Sequence, residues 1–109
     1  MIVINIVMPI RPEKTDEWLA LADSYAKDVN SEEGCLFFKF SRSLTDENEY
    51  VCIEGFRDAD AGAVHTASEH FQKAVSEMPD WVSANPQIMY VDSPELSGWG
   101  AMGEVQPRS

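Results

Sequence analysis

Two strand-like segments flank a short acidic turn in the middle of the chain, and this feature constrains the fold most. The segments span residues 35–43 and 49–56, and the turn between them carries Asp46, Glu47 and Asn48. Residues of this kind favour turns, so we expect the segments to pair as an antiparallel hairpin. Neither segment alternates cleanly between apolar and polar residues, which predicts a sheet buried on both faces. In so short a chain we expect another subunit to cover the second face.

The segments around this hairpin predict two further strands and two helical regions. Residues 1–8 are apolar at nearly every position, which is typical of a buried strand. Pro12 suits the first turn of a helix over residues 13–30, whose apolar side chains recur at helical spacing. A second helical region is expected over residues 58–82, before a last strand over 87–92. The order β-α-β-β-α-β indicates an α+β, ferredoxin-like fold, an antiparallel sheet with two helices on one face.

The ends of these elements carry further signals. Gly34 follows the first helix and is available for a left-handed backbone. The second helical region is predicted to be irregular near residues 66–69.

With 109 residues the chain should form one domain, over residues 1–92. Residues 93–109 lack periodicity and are predicted to be an arm or a disordered tail, in which Trp99 suggests docking on a partner subunit.

Charge and hydropathy exclude several classes of partner. Nineteen acidic against eight basic residues give a formal net charge of −11, which repels nucleic acids and anionic membrane surfaces. No apolar run approaches the roughly 20 residues that span a bilayer. The first eight residues lack the basic leader and cleavage site of a signal peptide, so they are expected to form a mature first strand. We therefore expect no nucleic acid, no membrane and a cytoplasmic location.

The two cysteines, Cys35 and Cys52, are expected to be reduced and buried. If the hairpin turns near residues 46–48, Cys35 lies opposite a residue near 59 and Cys52 opposite one near 42. The two thiols should then not meet. A redox pair or a metal site would need partners at ligand spacing, and the sequence has none.

Missing motifs remove further enzyme classes. The chain has no glycine-rich phosphate loop, no GxSxG elbow and no HExxH or CxxC metal motif. The histidines, His65 and His70, are five residues apart, about 140° around a regular helix, so they do not share the face that a metal needs. A break in the helix could bring them together, but nothing in the sequence requires it. We therefore expect no metal.

Three polar residues in apolar surroundings are candidates for chemistry. His65 has the apolar neighbours Ala61 and Val64, where a neutral imidazole could move a proton, although a hydrogen-bonded histidine at the core edge is an alternative. Glu54 lies in an apolar strand, so it either faces a cavity or forms an ion pair with an arginine, Arg42 or Arg57. Asn5 could orient a substrate oxygen or bond to neighbouring backbone.

Aromatic side chains are more numerous than a small core needs, and some of them could line a pocket for a flat conjugated molecule. We expect Phe38, Phe71 and Trp81 to help form its apolar walls. His70 is a substrate-binding candidate that could equally lie on the surface.

Several of these segments together resemble the antibiotic biosynthesis monooxygenase family of dimeric α+β barrels. The resemblance covers about residues 1–92. It rests on four segments, namely Glu32-Glu33-Gly34-Cys35-Leu36, Asp46-Glu47-Asn48-Glu49-Tyr50, Glu54-Gly55-Phe56 and His65-Thr66-Ala67-Ser68-Glu69-His70-Phe71. It implies a homodimer whose sheets face one another, with a pocket in each subunit between sheet and helices. Haem degradation is disfavoured, because His65 and Val75 stand about where that branch of the family has Trp and His.

The resemblance implies a cofactor-independent monooxygenase of a quinol or similar electron-rich phenolic or polycyclic compound. Its partners would be a small aromatic substrate and molecular oxygen, and it would use no cofactor. His65 would be the base, Glu54 would orient it and Asn5 would hold a substrate oxygen. Two alternatives stay open. One is an isomerase or lyase of a small carbonyl metabolite that uses the same pair, and the other is a small-molecule-binding dimer without catalysis.

Overall fold

A four-stranded antiparallel sheet forms one layer of the molecule, and its strands follow the order β2-β3-β1-β4. The computed structural model describes residues 1–108. Short 3₁₀ turns, Pro12–Lys14 and Met78–Asp80, precede the first helix and follow the last. The strands and helices are β1 Ile2–Pro9, α1 Thr15–Asn30, β2 Cys35–Arg42, β3 Glu49–Phe56, α2 Ala59–Ala67, α3 Glu69–Glu77 and β4 Gln87–Asp92. The predicted α+β, ferredoxin-like fold is confirmed.

The inner face of the sheet is the one that the helices cover. Since side chains alternate along a strand, every second residue points inward. In β1 the inward set includes Ile2 and Met8, both nearly fully buried, and in β3 it includes Tyr50 and Phe56. Trp18 of α1 packs on these strands and is 1% exposed. Its ring meets the Tyr50 ring edge-on, with centroids 5.5 Å apart. The core therefore lies between α1 and the two central strands.

The second helical region is broken at Ser68, within the predicted irregularity. Ser68 has an extended backbone, with φ −68° and ψ 152°, and ends α2 while it begins α3. Its hydroxyl donates to the carbonyl of His65 at 2.6 Å and accepts the amide N–H of Phe71 at 3.2 Å. One side chain thus caps both helix ends, which stabilises the change of direction between the helices.

Gly34 is required by close packing rather than by a left-handed backbone. Its φ is not positive, so the left-handed conformation predicted for it is wrong. A Cβ at position 34 would overlap the Cβ of Ala61 and lie 3.3 Å from its Cα. The absence of a side chain therefore lets the loop after α1 lie directly against α2.

The hairpin places the two cysteines opposite different residues from those predicted. Cys35 faces Phe56 and Cys52 faces Phe40, with an irregularity between positions 35 and 37. The register differs because the connection spans residues 43–48, so its centre lies earlier in the chain than the predicted turn. Both thiols are free, as expected, and Cys52 is buried while Cys35 is partly exposed.

The outer face of the sheet is apolar and partly open. Met89 and Val91 of β4 are 72% and 53% exposed on this side.

Beyond β4, residues 93–108 form neither helix nor strand, and residue 109 lies outside the described part. Trp99 lies against Phe37 of its own chain, with ring centroids 4.9 Å apart. The predicted domain boundary at residue 92 and the subunit expected over this face stay predictions. Among the described residues, no helix has the length and hydropathy needed to cross a membrane.

Candidate functional site

A cavity of about 420 Å³ opens between the inner face of the sheet and the helices. That volume lies within the range of small-molecule sites, roughly 300–1,000 Å³. Its walls are mostly apolar, and the polar side chains that line it include Tyr25, Glu54, His65 and Thr66. The aromatic lining residues are Trp18, Tyr25, Phe38, Phe40, Phe71 and Tyr90. The cavity therefore suits a flat, largely apolar molecule with a few polar groups.

His65 lies in the last turn of α2 and is 3% exposed. Its ring lies over Phe56 with centroids 4.7 Å apart, and Phe71 meets it edge-on at 5.2 Å. These contacts hold the plane of the imidazole. Only its two nitrogens are therefore available for polar contacts.

The two nitrogens of His65 have different environments. Nδ1 lies 2.9 Å from Oε2 of Glu32, whose side chain is 9% exposed. Nε2 points to the cavity side, 3.4 Å from the Tyr25 hydroxyl and 3.9 Å from Oε1 of Glu54. Because a carboxylate only accepts hydrogen bonds, this network assigns the proton of the neutral ring to Nδ1. Nε2 is then a hydrogen-bond acceptor on the cavity side, with the Tyr25 hydroxyl as a long contact.

Glu54 is a buried carboxyl group in the cavity wall. It projects from β3 between Ile4 and Phe38 on the neighbouring strands, and it is 4% exposed. Burial raises the pKa of Glu54. Two contacts oppose this rise in part, namely the hydrogen bond that the Cys52 thiol donates to Oε2 at 3.3 Å and the nearby His65. Glu54 does not form the alternative ion pair with Arg42 or Arg57. Arg42 donates to the Tyr50 hydroxyl, and Arg57 pairs with Glu33 and Asp58.

Tyr25 brings a hydroxyl group to the same wall from α1. Burial, and after it the carboxylate of Glu54, raise the pKa of Tyr25. The hydroxyl therefore stays protonated and can donate to Nε2 of His65. The sequence does not predict this polar role of Tyr25, since helical spacing does not show which partner a hydroxyl group meets.

His70 reaches the same carboxylate as His65. Its Nε2 lies 2.6 Å from Oε2 of Glu32, and its side chain is 23% exposed. The break at Ser68 makes this possible, so the expectation that the two histidines do not share a face is wrong. One ligand atom from each of Glu32, His65 and His70 lies within 4.8 Å of the others, close enough to hold a metal ion together.

Glu32 itself was missed as a functional residue. It lies in the loop between α1 and β2, and 33 residues separate it from His65. In the sequence, Glu32 is part of the Glu32-Glu33-Gly34-Cys35-Leu36 segment that carries the family resemblance. That segment does not indicate a chemical role for Glu32. Only tertiary packing brings this loop against α2.

The other predicted site residues divide between the cavity and the rest of the molecule. Phe38 and Phe71 line the cavity. Asn5 does not, since it lies in register with Ile53 on the outer face of the sheet, where it is exposed, while Ile4 and Ile6 face inward. The predicted substrate contact of Asn5 therefore does not fit this chain. Trp81 packs at the edge of the core and does not contribute to the cavity wall.

Comparison with known proteins gives the family of this chain. The model of the family described as "Antibiotic biosynthesis monooxygenase" matches residues 1–77. The chain belongs to this family. A Bacillus subtilis (strain 168) protein, "Putative monooxygenase YcnE", is 28% identical over 95 residues, which are 87% of this chain and 100% of the relative.

Solved structures of other proteins share the fold of this chain. One, described as "antibiotic biosynthesis monooxygenase", has a TM-score of 0.79 at 25% identity and covers 85% of this chain and 98% of its own. Rv0793 from Mycobacterium tuberculosis superimposes with a TM-score of 0.81 at 18% identity, over 89% of this chain and 98% of its own. At that identity the second likeness shows the fold alone.

Proposed function

We propose that the chain is a cofactor-independent monooxygenase that acts on a quinol or a related electron-rich phenol. The observation that carries the proposal is the arrangement of His65, with Nδ1 held by Glu32 and Nε2 as an acceptor at an apolar cavity. This is the geometry of a general base whose tautomer is fixed by a carboxylate. Family membership and a relative named as a putative monooxygenase support the reaction class.

His65 takes the phenolic proton of the substrate in this proposal. Nε2 of His65 and Oε1 of Glu54 are 3.9 Å apart, so one hydroxyl oxygen can lie about 2.8 Å from both atoms at once. A substrate hydroxyl in that position would replace the long contact from Tyr25. It would donate to Nε2 and accept from Glu54 whenever that carboxyl group is protonated, which its raised pKa favours. We therefore assign the orienting role to Glu32, and substrate contact to Glu54.

The substrate supplies the electrons for oxygen in this scheme. Removal of the phenolic proton makes an electron-rich anion, and an apolar cavity excludes the water that would stabilise that anion. The ring system then loses its phenolic hydrogen and one ring C–H hydrogen, that ring carbon gains one oxygen atom as a carbonyl group, and the second oxygen atom leaves with the two hydrogens as water. The aromatic walls around Phe38 and Phe71 would hold the ring.

Trp18 offers a further contact for the substrate. Its indole nitrogen is buried and has no hydrogen-bond partner among residues 1–108, and its side chain forms part of the cavity wall. Because an indole N–H only donates, it would favour a substrate with a second oxygen. Quinols, which carry two oxygens, meet this condition.

Oxygen consumption tests the proposal. Purified protein treated with a chelator is given a panel of benzohydroquinones, naphthohydroquinones and polyphenols, and oxygen uptake above autoxidation is measured. Loss of a general base typically costs about 10²–10⁴ in rate, so His65→Gln should lose nearly all uptake. Glu33→Gln is the matched control, because Glu33 lies on the surface beside Glu32 and its side chain is 93% exposed.

Each other outcome points to a different function. Uptake that His65→Gln retains would refute the assignment of the base. Turnover of a carbonyl compound at an unchanged rate without oxygen would instead support an isomerase or lyase that uses the same side chains. Stoichiometric binding of a phenol without turnover would support a binding protein.

We also propose a homodimer that buries the outer face of the sheet. The support is the exposure of apolar side chains there, Met89 and Val91 among them, and the dimers that family resemblance implies. Sedimentation of the wild type and of Met89→Lys tests this. A dimer that Met89→Lys weakens is expected, and a monomeric wild type would refute it.

A further inference from the structure

The cluster of Glu32, His65 and His70 has more ligand capacity than a catalytic dyad needs. A base and its orienting carboxylate require one histidine, yet two imidazole nitrogens converge on Oε2 of Glu32, at 2.9 and 2.6 Å. The three side chains come from the loop after α1, from the end of α2 and from the start of α3. We propose that Glu32, His65 and His70 form a binding site for a divalent transition-metal ion such as Zn²⁺ or Co²⁺.

The second oxygen of Glu32 supports this independently. Its side chain is more than nine-tenths buried, and Oε1 has no hydrogen-bond partner among residues 1–108. Leaving a buried carboxylate oxygen without a partner costs free energy. A metal ion coordinated by Oε2 would compensate for this, either by direct contact with Oε1 or through a water ligand. The orphan oxygen therefore points to a cationic ligand at this position.

The spacing of the ligand atoms is close to that of a metal centre. Zinc lies about 2.0–2.2 Å from nitrogen and oxygen ligands, so two ligands of a tetrahedral site are about 3.3 Å apart. The two nitrogen–oxygen distances, 2.9 and 2.6 Å, are shorter than this by about 0.4 and 0.7 Å, and all three ligand atoms lie within 4.8 Å of one another. Small side-chain shifts thus suffice. Both rings can bind as neutral imidazoles, if each carries its proton on the nitrogen that faces away from the metal.

The ligand types select the class of metal. Two imidazoles and one carboxylate suit zinc, cobalt, iron or nickel, whereas magnesium and calcium prefer oxygen ligands. His70 is 23% exposed, so the site has a route to solvent and room for water as a further ligand. The net charge of −11 favours the approach of cations. The site is thus accessible from outside, on the side of His65 that faces away from Nε2.

Metal binding would act on the cavity through His65, a consequence that rests on the proposed function. Glu32 and His70 do not line the cavity, so the ion would not touch a substrate there. A metal on Nδ1 requires the ring proton to move to Nε2. That nitrogen would then donate, and it could no longer accept the phenolic proton. Bound metal should therefore inhibit turnover.

Cobalt binding tests the site directly. Untagged, chelator-treated protein is titrated with CoCl₂, and the visible absorption of bound Co²⁺ reports its stoichiometry and geometry. We expect one ion per chain. Glu32→Gln and His70→Ala should each lower Co²⁺ affinity by more than about tenfold, while Glu33→Gln should leave it within about twofold of wild type. Far-ultraviolet circular dichroism checks that each variant is folded.

A measurement on the unmodified protein guards against a folding defect in the variants. The chain contains two histidines, both in the cluster, so its imidazole nitrogen spectrum by NMR should show two rings. Stoichiometric ZnCl₂ should shift one nitrogen of each ring to the range of metal-bound imidazole. The absence of a shift in either ring, or Co²⁺ affinity that is equal in wild type, Glu32→Gln and His70→Ala, would overturn the proposal.

Oxygen uptake with and without zinc separates this proposal from the proposed function. Zinc bound at the cluster and lowered uptake would support both. Zinc bound without any change in uptake would leave the metal site standing and would refute His65 as the base.

Discussion

Replacing Gly34 with alanine should destabilise the protein by forcing the loop after α1 away from α2. The added Cβ would approach Ala61 Cβ far inside 3.0 Å, a separation that real Cβ contacts essentially never go below. It would also lie 3.3 Å from the Cα of Ala61, so backbone as well as side chain must move. The loop carries Glu32, and its displacement should also weaken the contact of Glu32 with His65.

The size of the effect follows from the kind of contact. Overpacking a tightly packed site costs typically 1–3 kcal/mol, and an alanine methyl group cannot rotate out of the way. We expect Gly34→Ala to lower the free energy of unfolding by about 3 kcal/mol. At about 4 °C for each kcal/mol, this is a fall in Tm of roughly 12 °C.

A double-mutant cycle isolates the contact between these positions. Ala61→Gly alone should cost about 1 kcal/mol, because glycine is a poorer helix former. In the double variant Gly34→Ala/Ala61→Gly the severe overlap is gone, and the 3.3 Å approach to Cα remains. The double variant should therefore be more stable than the sum of the single changes predicts, by about 1–2 kcal/mol. Urea unfolding at one protein concentration measures all four proteins.

A second glycine of α2 serves as the control. A Cβ at Gly62 would lie 3.4 Å from Cδ1 of Ile2, which is an ordinary contact. Gly62→Ala should therefore be neutral or stabilising by up to about 1 kcal/mol. If Gly34→Ala proves as well tolerated as Gly62→Ala, or if the cycle is additive within about 0.5 kcal/mol, the close approach of the loop to α2 is not what requires glycine.

Two further predictions concern the caps of the second helical region. Ser68→Ala removes the hydroxyl that bonds to His65 and Phe71 at the helix break, and it should lower the free energy of unfolding by about 0.5–2 kcal/mol. Ser68→Asp should keep most of the stability. Thermal unfolding measures both variants, and an equal loss in both would contradict a capping role. The pKa of Asp58 is lowered, first by the hydrogen bond that its carboxylate accepts from the Ala61 amide. Its contribution to the stability of the folded protein is therefore present above the ordinary pKa of 3.8. That contribution is lost as the pH falls through the lower pKa of the folded state. Asp58→Asn should therefore lose less Tm than wild type between about pH 5 and pH 3, and an identical acid response would refute this linkage.

The order of the elements could be predicted from the sequence, because each signal is local. Helical spacing of apolar residues in α1, the turn residues before β3 and the irregularity around Ser68 all depend on neighbours within a few positions. The same holds for the inward carboxylate of Glu54, since a charged residue in an apolar strand either faces a cavity or finds a partner. These features follow from backbone geometry and burial alone.

The face on which Asn5 lies was not determined locally. The first strand is apolar at nearly every position, so its period of two carries no signal for inside and outside. The helices decide this by covering Ile4 and Ile6, which leaves Asn5 on the open side. A polar residue in a uniformly apolar strand therefore does not show which face it occupies.

By itself, the sequence determined the fold, the helix break and the candidate base, His65. Only the tertiary structure brought Glu32 to that base and turned His70 towards the same oxygen. The physical reason is distance along the chain, since 33 residues separate Glu32 from His65 and their contact depends on the loop that Gly34 lets approach α2. Hydropathy and turn signals act over a few residues, whereas a site assembled from three elements depends on how those elements pack.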